Sequence, residues 1–267
     1  MPYRITFAFD LFRSPRDERR SWATLGIMLD ALYKTDALYL QAHPEIPPLS
    51  QLMKAGRVRY VPEPPGQEDW QDIPTTLEMG IGDFEDIEAW RAAESAVRGG
   101  GPRGSWRPRL RRGARDRIAA RRVSGCGPYR ITFALDLFNG PHERALSRKT
   151  LDVMLDALLK VDILYLRENP NTPPIYQATT RGMRVRYMEE PPGQEDWQDI
   201  PTFLCMGIGD CEDAACWRAA ELQVKHGIAA RPIFKEQQKP DGGMLYHILV
   251  RYPDGRIEDP SRILGMR

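Results

Sequence analysis

Each half of the chain contains a segment in which large apolar side chains alternate with polar or small ones. In the second half this segment runs from Tyr129 to Phe138, and the same pattern occupies Tyr3–Phe12. A period of two residues is typical of a β-strand whose two faces differ in burial. We therefore expect each copy of this pattern to form a strand.

The apolar spacing after Phe138 changes to that of a helix. Five residues lie at the i, i+3, i+4, i+7 and i+8 positions of one stripe: Leu151, Met154, Leu155, Leu158 and Leu159. This spacing predicts an amphipathic helix with Ser147 as its N-cap. Whether the helix continues through Val161–Leu166 or a strand replaces it there stays open, and Pro170 ends it.

The C-terminal third combines helices and strands. A short strand at Arg184–Met188 precedes a brief helix from Ile200 that ends before Gly207. The next helix is Cys211–His226, with Asp210 as its N-cap. Strands and a hairpin turn follow, at Ile228–Phe234, Met244–Tyr252, Pro253–Gly255 and Arg256–Asp259. This order predicts an α+β fold.

One sequence unit occurs twice in the chain. The segment Glu63–Thr75 returns letter for letter as Glu190–Thr202, and Phe84 of the first copy stands where the second copy has Cys211. The first copy then gives way to a segment rich in arginine and glycine. We therefore predict a truncated, catalytically dead repeat at 1–97, a linker at 98–126 and a catalytic domain at 127–267.

Composition indicates an ordinary globular protein. The chain has 267 residues, of which 42% are hydrophobic and 28% charged. No apolar run approaches the ~18 residues of a membrane span, and the N-terminus does not resemble a signal peptide. The four cysteines are too few for a secreted disulfide framework. We expect a cytoplasmic protein with reduced thiols and no membrane partner.

Positive charge is concentrated in the predicted linker. Residues 98–122 hold ten arginines and one acid, which leaves 28 basic (38 − 10) and 36 acidic (37 − 1) residues elsewhere. Clustered arginines neutralise phosphates, so a nucleic-acid contact at 98–122 is one interpretation. A solvated linker is the favoured one, because the segment has no hydrophobic period. We therefore do not expect nucleic acid as a partner.

Three residues near the C-terminus form a candidate site for thiol chemistry. Cys211 begins a helix, whose free N–H groups and dipole favour a thiolate, although Asp210, Glu212 and Asp213 oppose this effect. His247 is the candidate base, and Asp259, across the predicted hairpin, is the candidate group that orients it. The backbone N–H of Cys211 is a candidate oxyanion donor.

The sequence predicts neither a metal nor a cofactor. The set of Cys205, Cys211, Cys216 and His247 lacks the close pairs that zinc favours. The acidic residues around Cys211 miss the spacing of a calcium loop, and helix capping explains them better. Structural roles are expected for the other residues of these types: packing for Cys205 and Cys216, helix capping for His226, and core positions for Trp70, Trp90, Trp197 and Trp217.

Three blocks of the second copy resemble the transglutaminase-like superfamily. They are Gly209–Ala215 around the cysteine, His226–Arg231 after its helix, and Tyr246–Val250 with Pro253–Ser261 around the histidine and the aspartate. The resemblance implies a papain-like core, in which a cysteine helix packs on a small antiparallel sheet that bears histidine and aspartate. Two features depart from the family: Ile248 replaces its usual tryptophan, and no glutamine shortly precedes Cys211. Candidate substitutes for that glutamine are Gln194, Trp197 and Gln198.

The resemblance implies a Cys-His-Asp enzyme. Cys211, His247 and Asp259 would cleave or transfer amide bonds of a peptide or protein substrate, as a thiol hydrolase or an acyltransferase. The alternative is a catalytically silent binding or assembly module with the same fold. The first repeat would pack against the second copy or mediate a homo-oligomer, since it lacks the histidine and aspartate strands.

Overall fold

The computed structural model describes residues 3–12, 17–64, 68–99, 128–137, 141–178, 185–191, 195–238 and 244–266. The described parts form an α+β protein. Its helices are α1 Glu18–Ala42, α2 Leu49–Lys54, α3 Ile73–Met79, α4 Phe84–Arg98, α5 Pro141–Glu168, α6 Ile175–Ala178, α7 Ile200–Met206, α8 Cys211–His226 and α9 Pro260–Ile263. Its strands are β1 Tyr3–Phe9, β2 Arg59–Tyr60, β3 Asp69–Gln71, β4 Ile81–Gly82, β5 Tyr129–Leu135, β6 Arg186–Tyr187, β7 Asp196–Gln198, β8 Ile208–Gly209, β9 Arg231–Gln238, β10 Met244–Arg251 and β11 Ile257–Glu258.

None of the helices in these ranges combines the length and apolar character that crossing a membrane requires. The predicted linker lies, from residue 100 onward, outside the described residues.

Two compact units make up the chain, and their limits fall inside β1 and inside α5. The first unit comprises Met1–Thr6 and Leu11–Met154, and the second comprises Phe7–Asp10 and Leu155–Arg267. The first unit therefore contains β5, which is the opening strand of the second copy. The second unit contains the end of β1, which belongs to the first copy.

In the first unit, β3 of the first copy pairs with β5 of the second. The two strands are parallel, with Asp69 opposite Thr132, and the rings of Trp70 and Phe133 meet edge to face at 5.4 Å. Asp72 follows β3 and caps α3 by accepting a hydrogen bond from Thr75 N at 3.0 Å. Its second oxygen accepts one from Asp136 N, at the end of β5, at 2.9 Å.

The second unit contains the reciprocal arrangement around β7. Asp199 caps α7 by accepting from Thr202 N at 3.0 Å, and its second oxygen accepts from Asp10 N at 3.1 Å. The backbone N–H of Asp199 donates to the carbonyl of Ala8 at 3.2 Å, and the rings of Phe7 and Trp197 lie 5.3 Å apart. Each copy thus supplies its opening strand to the other.

The cysteine helix of the second unit packs on an antiparallel sheet with the strand order β11-β10-β9. In this sheet His247 lies opposite Lys235, and Val250 lies opposite Glu258. Trp217 of α8 and Val250 of β10 are fully buried. Burial of such side chains is the main favourable term that holds a helix on a sheet.

The helix limits confirm most predictions from spacing. Both α7 and α8 end where expected, at Gly207 (φ 71°) and Gly227 (φ 66°), because glycine adopts this left-handed conformation without a steric cost. The prediction for Ser147 is wrong, since α5 begins earlier and Ser147 is buried within it. The open question about Val161–Leu166 is resolved, because α5 continues through that segment.

Single-residue hydrogen exchange tests the reciprocal strand exchange. We expect Asp199→Ala to lower protection of the Asp10 and Thr202 amides, since both lose their acceptor, at a cost of about 1–2 kcal/mol or roughly ten-fold in exchange rate. The matched Asp72→Ala change should instead affect Asp136 and Thr75. Were each copy paired with its own opening strand, Asp199→Ala would release Asp136 and leave Asp10 unchanged.

Candidate active site

Cys211 is the first residue of α8, and the start of this helix is fixed by two aspartates. Asp210 is the N-cap residue, and Asp213 Oδ2 accepts from Asp210 N at 3.2 Å. The other Asp213 oxygen accepts from Gln198 N at 2.7 Å, which joins the helix start to β7. Within the described ranges, Cys211 N–H makes no hydrogen bond, as expected for the first N–H of a helix.

The Cys211 thiol lies beside the main chain of β10. The Ile248 N–H is close enough to lower the pKa of the thiol, and the thiol itself donates to Glu212 Oε2 at 3.4 Å. Tyr252 N–H points toward the β11 edge, since it donates to Arg256 O at 2.8 Å. Every second N–H of a strand points the same way, so Ile248 N–H faces that edge too. The sulfur is therefore close to the peptide bond between His247 and Ile248.

His247 and Asp259 form a hydrogen-bonded pair. His247 Nε2 lies 3.0 Å from Asp259 Oδ2, and their side chains are only 16% and 20% exposed. Asp259 is also the N-cap of α9 and accepts from Arg262 N at 3.4 Å. With Nε2 as the donor, Nδ1 carries the lone pair of the neutral ring. No hydrogen bond joins Cys211 Sγ to His247 between these described residues.

An ion-pair network attaches β11, and hence Asp259, to the cysteine helix. Arg218 of α8 lies 2.8 Å from both Glu221 and Glu258. The hydroxyls of Tyr176 and Tyr252 also donate to Glu258, the residue before Asp259. These groups are largely buried, so their geometry is defined by several charge-assisted hydrogen bonds.

The electrostatic environment of Cys211 differs from the sequence expectation. Burial raises the pKa of the thiol well above its usual value, and the Asp210 carboxylate raises it further. The Ile248 N–H lowers the pKa, but less than burial raises it. The predicted thiolate is therefore not the resting form, because the helix start lies in a buried and acidic environment.

Carboxyl groups close to the thiol are also perturbed. Burial raises the pKa of Glu212 well above its usual range, and the neighbouring Asp210 raises it further. Burial, followed by the charge of Asp210, raises the pKa of Glu190 to about 8. Crowded and desolvated carboxyls of this kind disfavour their own ionised forms.

The candidates for an additional oxyanion donor are engaged elsewhere. Trp197 is buried and donates its Nε1–H to Glu195 at 3.3 Å. The Gln198 amide donates to Ile208 O at 3.3 Å. Gln194 lies outside the described residues. The Cys211 N–H therefore stays the candidate oxyanion donor.

The remaining cysteines and histidine occupy different environments. Cys216 is buried, and its thiol donates to Leu155 O at 3.7 Å. Cys205 is exposed, so the expected packed position is wrong for this residue. His226 lies half exposed in the last turn of α8, 3.8 Å from Glu221. The four repeated tryptophans are buried as predicted: Trp70, Trp90, Trp197 and Trp217.

Sequence reasoning missed two carboxylates from other elements that lie near Glu212. Glu190 and Glu195 each bring an oxygen to within 4.8 Å of one from Glu212. The only sequence signal was their presence in the repeated segment, where Glu63 and Glu68 are their counterparts. Arg218 was missed as well, since its partner Glu258 is distant along the chain.

Comparison with known proteins adds no family assignment. No protein-family model, curated protein or solved structure matches this chain. The resemblance to the transglutaminase-like superfamily therefore stays a prediction, and the argument for a function depends on the geometry of the site.

The role of Arg218 can be tested against its counterpart in the first copy. Arg218→Ala leaves Glu258 and Glu221 without their cation, and we expect it to reduce the free energy of unfolding by about 3 kcal/mol in urea denaturation. Arg91 occupies the equivalent position but is exposed, and among the described residues its ion pair is with Glu88. Arg91→Ala should cost at most about 0.5 kcal/mol. Equal effects would contradict the positioning role of Arg218.

The state of the resting thiol can be measured by alkylation. At pH 7.5 we expect iodoacetamide to modify exposed Cys205 at least about ten-fold faster than Cys211, because only the thiolate reacts and burial disfavours it at Cys211. Peptide mass spectrometry over time gives both rates in one sample. The difference should vanish in guanidinium chloride. Faster modification of Cys211 in the native protein would show that the thiol is already ionised.

Proposed function

We propose that the chain is a thiol-dependent hydrolase or acyltransferase that acts on amide bonds of peptides or proteins. Cys211 is the nucleophile, His247 the general base and then acid, and Asp259 the orienting carboxylate. The observation that carries this proposal is that one segment of β10 lies next to both partners: His247 is 3.0 Å from Asp259, and the following backbone N–H is close enough to the Cys211 thiol to lower its pKa.

The architecture supports the same proposal. A helix that begins with cysteine packs on an antiparallel sheet that carries histidine, and the aspartate follows the neighbouring strand. This is the arrangement that the papain-like core of the transglutaminase-like superfamily implies. We assign this core to the second unit as part of the proposal.

In the first step the thiol proton moves to His247 Nδ1 as Sγ bonds to the carbonyl carbon of the substrate. The carbonyl oxygen gains negative charge, and the Cys211 N–H is placed to stabilise it. Asp259 accepts from Nε2–H and stabilises the imidazolium that forms. Because the resting thiol is neutral, the base acts during the attack rather than before it.

In the second step the tetrahedral intermediate collapses. The C–N bond breaks, the leaving amine takes the proton from His247 Nδ1, and a thioester to Cys211 remains. Water or a second amine then attacks the thioester and gives its proton to His247 Nδ1. The C–S bond breaks, the acyl group leaves, and His247 returns the proton to Sγ. Water as the acceptor makes the protein a hydrolase, and an amine makes it a transferase.

A second candidate function is a binding or assembly module that retains the fold without turnover. The raised pKa of Cys211 favours it, as does the absence of a hydrogen bond between the described Cys211 and His247. Phe84, which replaces the cysteine in the first copy, shows that the same capped helix start forms without a thiol. The two candidates differ in whether an acyl-enzyme forms.

Mass spectrometry with a glutamyl peptide and a tagged amine tests the proposal. We expect the wild type to form a thioester at Cys211 and to yield hydrolysed or amine-linked peptide. Cys211→Ala should abolish both, and Asp259→Asn should slow them by roughly 10³–10⁴-fold, because it disrupts the tautomer of His247. Cys205→Ala is the matched control and should retain full activity.

Turnover that persists in Cys211→Ala would contradict the assigned nucleophile. Failure to detect a thioester or product with a broad mixture of peptides, under conditions where Cys211 is intact, would favour the binding module. Unchanged turnover in Asp259→Asn would remove the aspartate from the mechanism.

A further inference from the structure

The short strand β6 connects the two segments that carry the proposed nucleophile and its orienting carboxylate. On one edge it pairs in parallel with β8, with Tyr187 opposite Gly209. On the other edge Tyr187 N donates to the carbonyl of Leu264, at the end of α9, at 3.0 Å. Gly209 lies two residues before Cys211, and α9 begins directly after Asp259. The main chain of Tyr187 is therefore fixed between these two segments.

The side chain of Tyr187 lies near the start of α8 and is partly buried. Burial raises the pKa of its phenol, and the charges that Cys211 and Asp210 carry when ionised raise it further, so the ring lies within electrostatic range of both groups. The phenol is therefore protonated at neutral pH and can donate a hydrogen bond. Its hydroxyl makes no hydrogen bond to another residue in the described ranges, which leaves it available to a bound molecule.

The proposed reaction needs a donor of this kind beside the thiol. Attack by Cys211 places negative charge on the former carbonyl oxygen, next to the acidic residue Asp210. Oxyanion holes commonly combine at least two donors, and the Cys211 N–H is one candidate. The side chains of Trp197 and Gln198 donate elsewhere. A neutral phenol near the same helix start can supply the second hydrogen bond.

We propose that the Tyr187 hydroxyl is the second oxyanion donor of the site and binds the carbonyl oxygen of the substrate together with the Cys211 N–H. This inference rests on the proposed function, because the oxyanion forms only when Cys211 attacks a carbonyl carbon. As the S–C bond forms, the π electrons of the carbonyl move to oxygen, and both donors stabilise that charge. The C=O bond forms again when the intermediate collapses. Tyr187 keeps its proton throughout.

The first copy supplies a matched control. Tyr60 is the counterpart of Tyr187, since it lies on β2 opposite Gly82 of β4 in the same parallel register. The helix that follows begins with Phe84 instead of a cysteine. The Tyr60 side chain is 44% exposed. Tyr60→Phe therefore removes the same hydroxyl from the same local fold without affecting the candidate site.

The kinetics of Tyr187→Phe test the assignment. With the glutamyl peptide and the tagged amine, we expect kcat to fall by roughly 10²–10³-fold, which is the typical loss on removing one oxyanion donor, while KM stays within about two-fold of the wild type. Tyr60→Phe should keep the wild-type kcat. Iodoacetamide should alkylate Cys211 at the same rate in Tyr187→Phe and in the wild type, because displacement of iodide forms no oxyanion.

Two outcomes of these kinetics would overturn the donor. A wild-type kcat in Tyr187→Phe would show that the hydroxyl does not stabilise the transition state. A loss of kcat with an equal loss in the rate of alkylation would show that the hydroxyl acts on the thiol instead. The substitution removes one oxygen that has no hydrogen-bond partner among the described residues, so the midpoint of urea denaturation should not change.

A peptide aldehyde separates the failure of this inference from the failure of the proposed function. The aldehyde adds to the Cys211 thiol and forms a hemithioacetal, whose oxygen occupies the proposed oxyanion position without turnover. We expect Tyr187→Phe to bind a glutamyl aldehyde at least about ten-fold more weakly than the wild type or Tyr60→Phe, measured as protection of Cys211 from alkylation. A wild type that forms neither a thioester nor a hemithioacetal would overturn both proposals. Wild-type turnover and aldehyde affinity in Tyr187→Phe would overturn only the oxyanion donor.

Discussion

The contact between the first turn of α8 and the main chain of β10 is the interaction on which the candidate site depends. The Cys211 thiol lies close enough to the Ile248 N–H for that group to lower its pKa, and the packing of α8 on β10 brings the sulfur beside the strand that carries His247. Capping by Asp210 and Asp213 fixes the residue at which α8 begins. Burial of Trp217 fixes which face of α8 points into the core. If α8 did not pack on β10 in this way, the His247–Asp259 pair would have no thiol beside it.

The site combines groups that orient the candidate base, His247, with groups that disfavour the thiolate form of Cys211. Arg218 and Glu258 connect α8 with β11 and so position Asp259. Burial of Cys211 and the charges of Asp210 and Asp213 have the opposite effect, since they raise the pKa of the thiol.

Local signals in the sequence predicted the elements of the site but not its electrostatics. The proline, glycine and aspartate positions gave α7 and α8 correctly, because capping depends on neighbours in the chain. The exchange of opening strands could not be predicted, since Tyr3–Phe9 and Tyr129–Leu135 are nearly identical and fit either partner. The raised pKa of Cys211 arises from burial, which depends on packing by residues distant in sequence.

The most direct test of the account is covalent bridging of Cys211 and His247 by 1,3-dibromoacetone, a reagent that spans a few ångströms. The sulfur is alkylated first, and the remaining bromide reacts with an imidazole only if the ring is adjacent. The account predicts a cross-linked peptide pair that contains Cys211 and His247, detected by mass spectrometry and absent in His247→Ala. Cys211 that is alkylated without any link to His247 would contradict it.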